Sequence, residues 1–214
     1  ETKRQYPKVF TPDSEIWRLL KESGDSYIYE AVKHGVNQTL PPEITIGLKD
    51  VSKRTEWNKS APENFALPTE IWREVVDRRN RYFEVKSKIE NGEINSINDF
   101  ITYNLNIRQF TQDVVENIDE PEFIEFFYKT LSNVTIMDPT CGSGAFLFAA
   151  MNILEPLYEA CIYRMESYIN EAPKGKYEFF ESIIAQVKSP GHPNLKYFIY
   201  KSIILQNLYG VDIM

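Results

Sequence analysis

The segment that most restricts the fold of this chain is a short apolar run that leads into a glycine-bearing turn. Residues 134–137, Val-Thr-Ile-Met, are apolar and partly β-branched, which is typical of a buried strand. Residues 138–144 follow with the sequence Asp-Pro-Thr-Cys-Gly-Ser-Gly, and apolar side chains then recur at helical spacing from residue 145 to 165. A strand, a turn and a helix in this order predict a ligand site, because the first N–H groups of the helix point at the turn.

Two glycines and an acid in this turn are the first candidate site residues. Gly142 and Gly144 lack a Cβ, so they can adopt positive φ and let a ligand lie close to the backbone. Asp138 falls at the carboxyl end of the predicted strand, where open α/β sheets bind ligands. Its carboxylate suits a cationic or hydroxyl-rich ligand better than a pyrophosphate.

A second acid is expected at the end of a second buried strand, predicted at residues 208–214. In doubly wound folds an acid at this place, here Asp212, accepts hydrogen bonds from ribose hydroxyls. The usual spacing from turn to acid is roughly 20 residues, whereas Asp138 and Asp212 are 74 positions apart. Either a helical insertion, predicted at 176–187 and 194–206, fills the crossover, or the pairing of the two acids is wrong.

The first 130 residues are predicted to be mainly helical. Helices are expected at 14–20, from Pro68 to about residue 90, and at 97–106, 108–118 and 120–132. Ser96 and Asp99 have the spacing of a capping box. Thr45 and Ile46 are expected to form a brief strand, and residues 50–64 a polar loop.

The two segments around the turn and the second acid resemble a known family. Residues 138–147, Asp-Pro-Thr-Cys-Gly-Ser-Gly-Ala-Phe-Leu, look like the S-adenosylmethionine-binding motif of adenine-N6 DNA methyltransferases. Residues 207–213, Asn-Leu-Tyr-Gly-Val-Asp-Ile, resemble the ribose-binding motif of the same group. The long helical stretch between them is typical of the large enzymes of restriction-modification and phage-defence systems. The resemblance covers 134–213 and, more loosely, 97–133.

The resemblance implies a fold, a cofactor and a set of site residues. The fold is α/β, with a mainly helical region at 1–130 followed at 131–214 by the first strands of a class I (Rossmann-like) methyltransferase sheet. The cofactor is S-adenosylmethionine. The residues implied to bind it are Asp138, Gly142 and Gly144 around the methionine part, Pro139 and Cys141 in the same motif, and Asp212 at the ribose.

Two of the candidate residues have an alternative interpretation. The family often uses a threonine upstream of the first strand to contact the cofactor carboxylate, and Thr111 is the candidate here; otherwise it is a helix cap or a surface hydroxyl. Cys141 is interpreted as a small packing residue rather than a nucleophile, because no histidine lies near it in the sequence.

The catalytic motif of the family is absent from this sequence. That motif is Asn or Asp, then Pro-Pro, then Tyr or Phe, and the Leu-Pro-Pro-Glu string at 40–43 lacks both the amide and the aromatic residue. In the family these residues bind the adenine amino group and stack on the flipped base. We therefore expect an N-terminal, cofactor-binding fragment that is inactive alone and carries no catalytic residue. DNA would bind through the full-length protein, with a restriction or specificity subunit as a further partner.

Charge and cysteine content restrict the class of protein. A net charge of -7 argues against a simple basic nucleic-acid module. Two cysteines cannot form a disulfide framework or a four-cysteine zinc site, and no metal site is expected. No uninterrupted apolar run approaches the ~20 residues of a membrane helix. These features predict a cytoplasmic protein that does not bind a membrane.

Two other classes of function stay open from the residues. One is a methyltransferase that acts on protein, RNA or a small molecule. The other is a non-enzymatic helical module that binds DNA or a partner protein. A basic helix face with interleaved aromatic residues could contact phosphates, although a solvated face of a charged helix is the preferred interpretation. The basic residues of that face are Arg73, Arg78, Arg79, Arg81, Lys86 and Lys88.

Overall fold

Helices form most of this protein, and the sheet is reduced to one pair of strands. The structure is a computed structural model that describes residues 14–212. Helices take up 66% of the described chain. Within it there are only two strands, of three residues each, and one isolated bridge between Ser60 and Ile71. The predicted α/β class with a Rossmann-like sheet is therefore wrong: this is a mostly helical protein.

The elements follow one another in a simple order. The α-helices are α1 (Glu15–Ser23), α2 (Glu30–Lys33), α3 (Pro42–Lys49), α4 (Trp72–Glu90), α5 (Ile97–Thr102), α6 (Ile107–Asn117), α7 (Pro121–Asn133), α8 (Ala145–Glu171), α9 (Glu178–Val187) and α10 (Leu195–Ser202). The strands are β1 (Ile136–Asp138) and β2 (Leu208–Gly210). Two 3₁₀ segments (Gly24–Tyr27 and Val51–Asn58) and a π-helical turn (Ile203–Asn207) complete the order.

The chain divides into two compact units, Glu1–Ile107 and Arg108–Met214. The sequence pattern predicts the boundary between the two regions at residue 131, shortly before the apolar run at 134–137. In the structure, α7 packs against α8, so this helix belongs to the same unit as the strands. The boundary between the two units thus depends on which helices pack together. The sequence shows only where the pattern changes from helical to strand-like.

The first unit has a core built around α4. The buried residues of one core cluster there are Ile44, Trp57, Ala66, Trp72, Val75 and Val76. Ile44 lies on α3, so the brief strand predicted at Thr45 and Ile46 is wrong, and this apolar stretch is helical. Short apolar runs do not distinguish a strand from a buried helix segment. The 3₁₀ segment also replaces part of the predicted loop at 50–64.

Two carboxylates stabilise the start of α4 and the turn that precedes it. Glu74 accepts the N–H of Ile71 at 2.9 Å, and Glu70 accepts the N–H of Leu67 at 2.8 Å. The helix therefore begins at Trp72, four positions after Pro68, where the sequence predicts its start. The capping box predicted at Ser96 is confirmed, because Asp99 accepts the Ser96 N–H at 2.9 Å.

Arg78 on α4 links several backbone segments of the first unit through hydrogen bonds. Its side chain is only 10% exposed and forms two hydrogen bonds of 2.9 Å with the Glu70 carboxylate. The same guanidinium donates to three backbone carbonyls, those of Val32 at 3.2 Å, His34 at 2.5 Å and Phe65 at 2.8 Å. A planar guanidinium with five donors can hold several loops at once, which an ammonium cannot.

Replacing Arg78 is expected to destabilise the protein strongly. Arg78→Met leaves the Glu70 carboxylate uncompensated and three backbone carbonyls without their donor, so the free energy of unfolding should fall by about 3 kcal/mol. Chemical denaturation measures the change. The exposed Arg73 on the same helix provides the control, and Arg73→Met should have little effect. Equal losses for the two variants would contradict the role of Arg78.

The same ion pair predicts a pH dependence. Burial alone would raise the pKa of Glu70, but the hydrogen bonds from Arg78 and from the Leu67 N–H hold it below its ordinary value of 4.5. Because the folded pKa is the lower one, the contribution to stability is complete above pH 4.5 and is lost as the pH falls through the folded pKa. Denaturation between pH 7 and about pH 3 should show this loss, and Glu70→Gln should abolish it. An unchanged pH profile in the variant would contradict the prediction.

The second unit is organised around α8. Tyr158, Cys161 and Met165 on this helix are fully buried, and α8 packs against α7 and α9. The Tyr158 ring meets the ring of Tyr128, on α7, edge to face at 5.6 Å. Burial raises the pKa of the Cys161 thiol well above its ordinary range, so this cysteine is a packing residue rather than a nucleophile.

The α8 helix is also long and apolar enough to cross a membrane by length and composition. The sequence has no uninterrupted apolar run of this length here, because charged residues interrupt the helix. A core helix of a soluble protein passes the same test, and 39% of the apolar window of α8 is buried inside the protein. The helix therefore does not decide where the protein resides, and the cytoplasmic location stays a prediction.

Candidate functional site

The two strands lie side by side and run parallel. Their register pairs Ile136 with Leu208 and Asp138 with Gly210. Parallel strands end at the same edge, so the turn after β1 and the segment after β2 leave the pair together. The structure therefore brings together the two segments that carry the candidate residues Asp138 and Asp212.

Backbone hydrogen bonds join the turn to the end of β2. The N–H of Val211 donates to the carbonyl of Asp138 at 2.9 Å, and the N–H of Cys141 donates to the carbonyl of Val211 at 2.9 Å. Both polar groups of Val211 are thus paired with residues of the 138–144 segment. As a result Asp212, the next residue, is held beside the turn by the backbone of its neighbour.

The turn itself is closed by hydrogen bonds within it. The Gly144 N–H donates to the Cys141 carbonyl at 2.7 Å, and the Thr140 N–H donates to Asp138 Oδ1 at 3.1 Å. Asp138 is half-buried, while Asp212 is exposed. One oxygen of Asp138 is therefore engaged in shaping the turn, whereas the side chain of Asp212 is open to solvent.

Both glycines of the turn adopt left-handed backbone conformations. Gly142 has φ of 47° and Gly144 has φ of 76°, and Gly144 is the residue that precedes α8. A Cβ added at Gly142 would meet nothing within 4 Å. Glycine is therefore needed at 142 for its conformation and not because a neighbour crowds it, and the space beside the backbone is free for a ligand.

A third glycine, Gly210, is needed for close packing. A Cβ on Gly210 would lie 3.0 Å from Leu147 Cδ1 and 3.1 Å from Cys141 Sγ. Cys141 is half-buried against this strand. Its thiol therefore packs the turn onto β2. The sequence includes Gly210 in the second motif but offers no sign of this steric role.

The remaining candidates stand apart from these contacts. Pro139 is an exposed part of the turn. Thr111 lies on α6, outside the strand–turn–helix segment, and its role stays a prediction. Within residues 14–212 no group of three histidine, cysteine or acidic side chains could hold a metal ion.

An apolar groove of about 330 Å³ adjoins the turn, a feature that sequence reasoning missed. It is lined by Gly144, Leu147, Phe148, Met151, Ile204 and Leu208. Phe148, in the first turn of α8, is 60% exposed. The sequence shows that this side chain is apolar but not that it lies beside the turn at the surface.

The basic face of α4 is largely engaged in internal contacts. Besides the bonds of Arg78, Arg79 donates to the Gly35 carbonyl at 2.7 Å, and Arg81 donates to the Tyr103 carbonyl at 3.2 Å. Guanidinium groups held by backbone carbonyls have fewer donors left for phosphates. The structure thus does not favour the interpretation of this face as a phosphate-binding surface.

Comparison of the chain with protein-family models, with curated proteins and with solved structures gives no significant match.

The conformational role of Gly142 can be tested by comparing two glycine-to-alanine variants. Gly142→Ala places a side chain in the left-handed region and should lower the free energy of unfolding by about 1 kcal/mol. Gly191 is the matched control, because its Cβ would also meet open space and its φ is not left-handed. Gly191→Ala should leave stability unchanged or slightly raised. Equal effects in thermal denaturation would show that the backbone at 142 is not strained.

Proposed function

We propose that this chain supplies part of the S-adenosylmethionine site of an adenine-N6-specific DNA methyltransferase. The observation that carries the proposal is the pairing of β1 with β2. Two sequence segments, each resembling one half of a cofactor-binding motif, leave the same edge of one strand pair. Their acids, Asp138 and Asp212, are 74 positions apart in the sequence. The proposal rests on this local arrangement of strands, turn and helix, and does not require a larger sheet.

The residues of the turn suit the methionine end of the cofactor. The N-terminus of α8 follows Gly144 and presents free N–H groups, which favour a carboxylate. Asp138 offers a negative charge to an ammonium or sulfonium group. The open space at Gly142 lets such a ligand approach the backbone. When bound, the cofactor supplies a methyl group carried on a sulfonium.

Asp212 is assigned to the ribose in this proposal. Its carboxylate is exposed and follows directly after Val211, whose backbone is fixed to the turn. A carboxylate that accepts hydrogen bonds from two hydroxyls forms charge-assisted bonds, which are stronger than neutral ones. The turn and Asp212 would then hold the two ends of one ligand.

The base-binding part of the reaction is not assigned to any residue of this chain. The sequence has no Asn-Pro-Pro-Tyr type string, and such a string would have to come from other residues of the enzyme. We propose that the DNA and any restriction or specificity subunit contact those other parts. Methylation by this chain alone is not expected.

The ribose role of Asp212 gives a direct test. In the intact protein, Asp212→Asn should weaken S-adenosylmethionine binding by about tenfold or more, because a charged acceptor is replaced by a neutral one. Isothermal titration calorimetry measures the affinity. Asp77→Asn, an equal change of charge at an exposed position in the first unit, is the control and should bind as wild type does. Equal affinities for all three proteins would reject the ribose role.

The same titration distinguishes the proposed function from the second candidate function. The high helical content favours, as a second candidate, a non-enzymatic module that binds DNA or a partner protein. That candidate predicts no heat of binding with S-adenosylmethionine in the intact protein. If binding is seen, transfer of a labelled methyl group to DNA, RNA or protein then decides the substrate class.

A further inference from the structure

Asn207 is an unusual residue for the interior of this protein. Its side chain is fully buried, and apart from tyrosine and tryptophan the only other buried polar side chain in the described part of the chain is that of Ser202. A buried amide is costly unless each of its polar atoms has a partner. The position of Asn207, directly before β2, therefore calls for a reason in the hydrogen bonds that it makes.

The Asn207 amide is fully paired with three different elements. Its Nδ2 donates to the carbonyl of Leu131 at 2.8 Å and to that of Val134 at 2.7 Å. Its Oδ1 accepts the hydroxyl of Tyr158 at 2.9 Å. One side chain thus links the end of α7, the entry to β1 and the middle of α8, all at the start of β2.

The backbone at Asn207 is shaped to place this side chain. Residues Ile203–Asn207 form a π-helical turn, closed by a hydrogen bond from the Leu208 N–H to the Ile203 carbonyl. Such wide turns accommodate one residue more than an α-helical turn and are frequent at functional sites. The turn brings Asn207 to the strand entry immediately after α10.

These bonds specify how β2 lies against β1. Asn207 bonds to Val134, and the following residue, Leu208, pairs with Ile136. A register shift by one residue would take the Asn207 amide away from its partners and leave buried polar groups unsatisfied. Satisfied polar networks are known to favour a single packing arrangement over its alternatives.

We propose that Asn207 is a positioning residue for the cofactor site, acting through strand register rather than through contact with the ligand. Its three hydrogen bonds align β2 with β1, and this alignment places Val211 between Asp138 and Cys141. The candidate ribose acid, Asp212, is thereby held beside the glycine turn. The cofactor part of this inference rests on the proposed function, whereas the alignment of the strands does not.

The alignment is tested without any cofactor by amide hydrogen exchange. Asn207→Asp keeps the acceptor for Tyr158 but removes both donors, so exchange at the amides of Cys141 and Val211 should rise about tenfold or more. Exchange in α9 should stay as in wild type. Asn133→Asp is the matched control, since Asn133 is exposed and bonds only within α7. Unchanged exchange at Cys141 and Val211 would overturn the proposal.

A milder variant covers the case in which Asn207→Asp unfolds the whole unit. Tyr158→Phe removes one hydroxyl and keeps the ring, so the unit should stay folded. Exchange should then rise at Cys141 and Val211 but not in α9. A rise of the same size throughout residues 108–212 would mean that the network has only a general structural role, and no rise at all would mean that the hydroxyl does not help to set the register. Either result would overturn the proposal.

The affinity for S-adenosylmethionine is measured on the same intact proteins. If wild type binds, Asn207→Asp and Tyr158→Phe should both weaken binding while Asn133→Asp does not, and wild-type affinity in the first two would overturn the cofactor part of the proposal. If wild type does not bind, the proposed function fails. Exchange at Cys141 and Val211 then still decides whether Asn207 sets the register.

Discussion

The candidate site depends on the parallel pairing of two three-residue strands, extended by the two backbone hydrogen bonds of Val211. An isolated strand pair of this length has little stability of its own. Packing against neighbouring elements stabilises the pair. The α8 helix contacts both strands, and the side chains of Leu147 and Cys141 pack closely against Gly210. The geometry of the turn is thus a product of helix packing as much as of strand pairing.

Among residues 14–212, only one face of the strand pair is covered. Leu147 reaches the pair at Gly210, whereas Met137 and Tyr209, which pair with each other, are 63% and 49% exposed. Parallel sheets in known folds are covered on both faces. The prediction of an α/β fold failed for a related reason. The two predicted strands are present and pair with each other, but the described chain does not extend them into a sheet.

Long periodic segments and local capping could be predicted from the sequence. The helices α7 and α8 appear where apolar residues recur at helical spacing, and the Ser96 and Asp99 side chains form the expected cap. Predictions failed where the signal was short: the apolar residues around Ile46 suit a strand or a buried helix equally well. The start of α4 was missed because it depends on the carboxylates of Glu70 and Glu74.

Within the site, the sequence predicted the residues that need an unusual backbone conformation. It did not predict the residues whose role depends on packing or hydrogen bonds to distant parts of the chain. The left-handed conformations of Gly142 and Gly144 follow from the motif, and the adjacency of the turn and Asp212 follows from pairing the two motifs. The close approach at Gly210 and the buried amide of Asn207 depend on three-dimensional packing. Position within the second motif is the signal that could have drawn attention to both residues.

The wide turn at Ile203–Asn207 has a consequence for how this segment tolerates changes in length. The turn holds one residue more than an α-helical turn, so deleting one of the exposed residues Ile204 or Leu205 would give regular winding and leave Leu208 at the end of the turn. Adding a residue would instead rotate the chain after it by about 100°, and Leu208 would then face away from Ile136. Because β2 matches its partner over only three residues, it has no spare length to compensate, so this segment should tolerate the loss of a residue better than the gain of one.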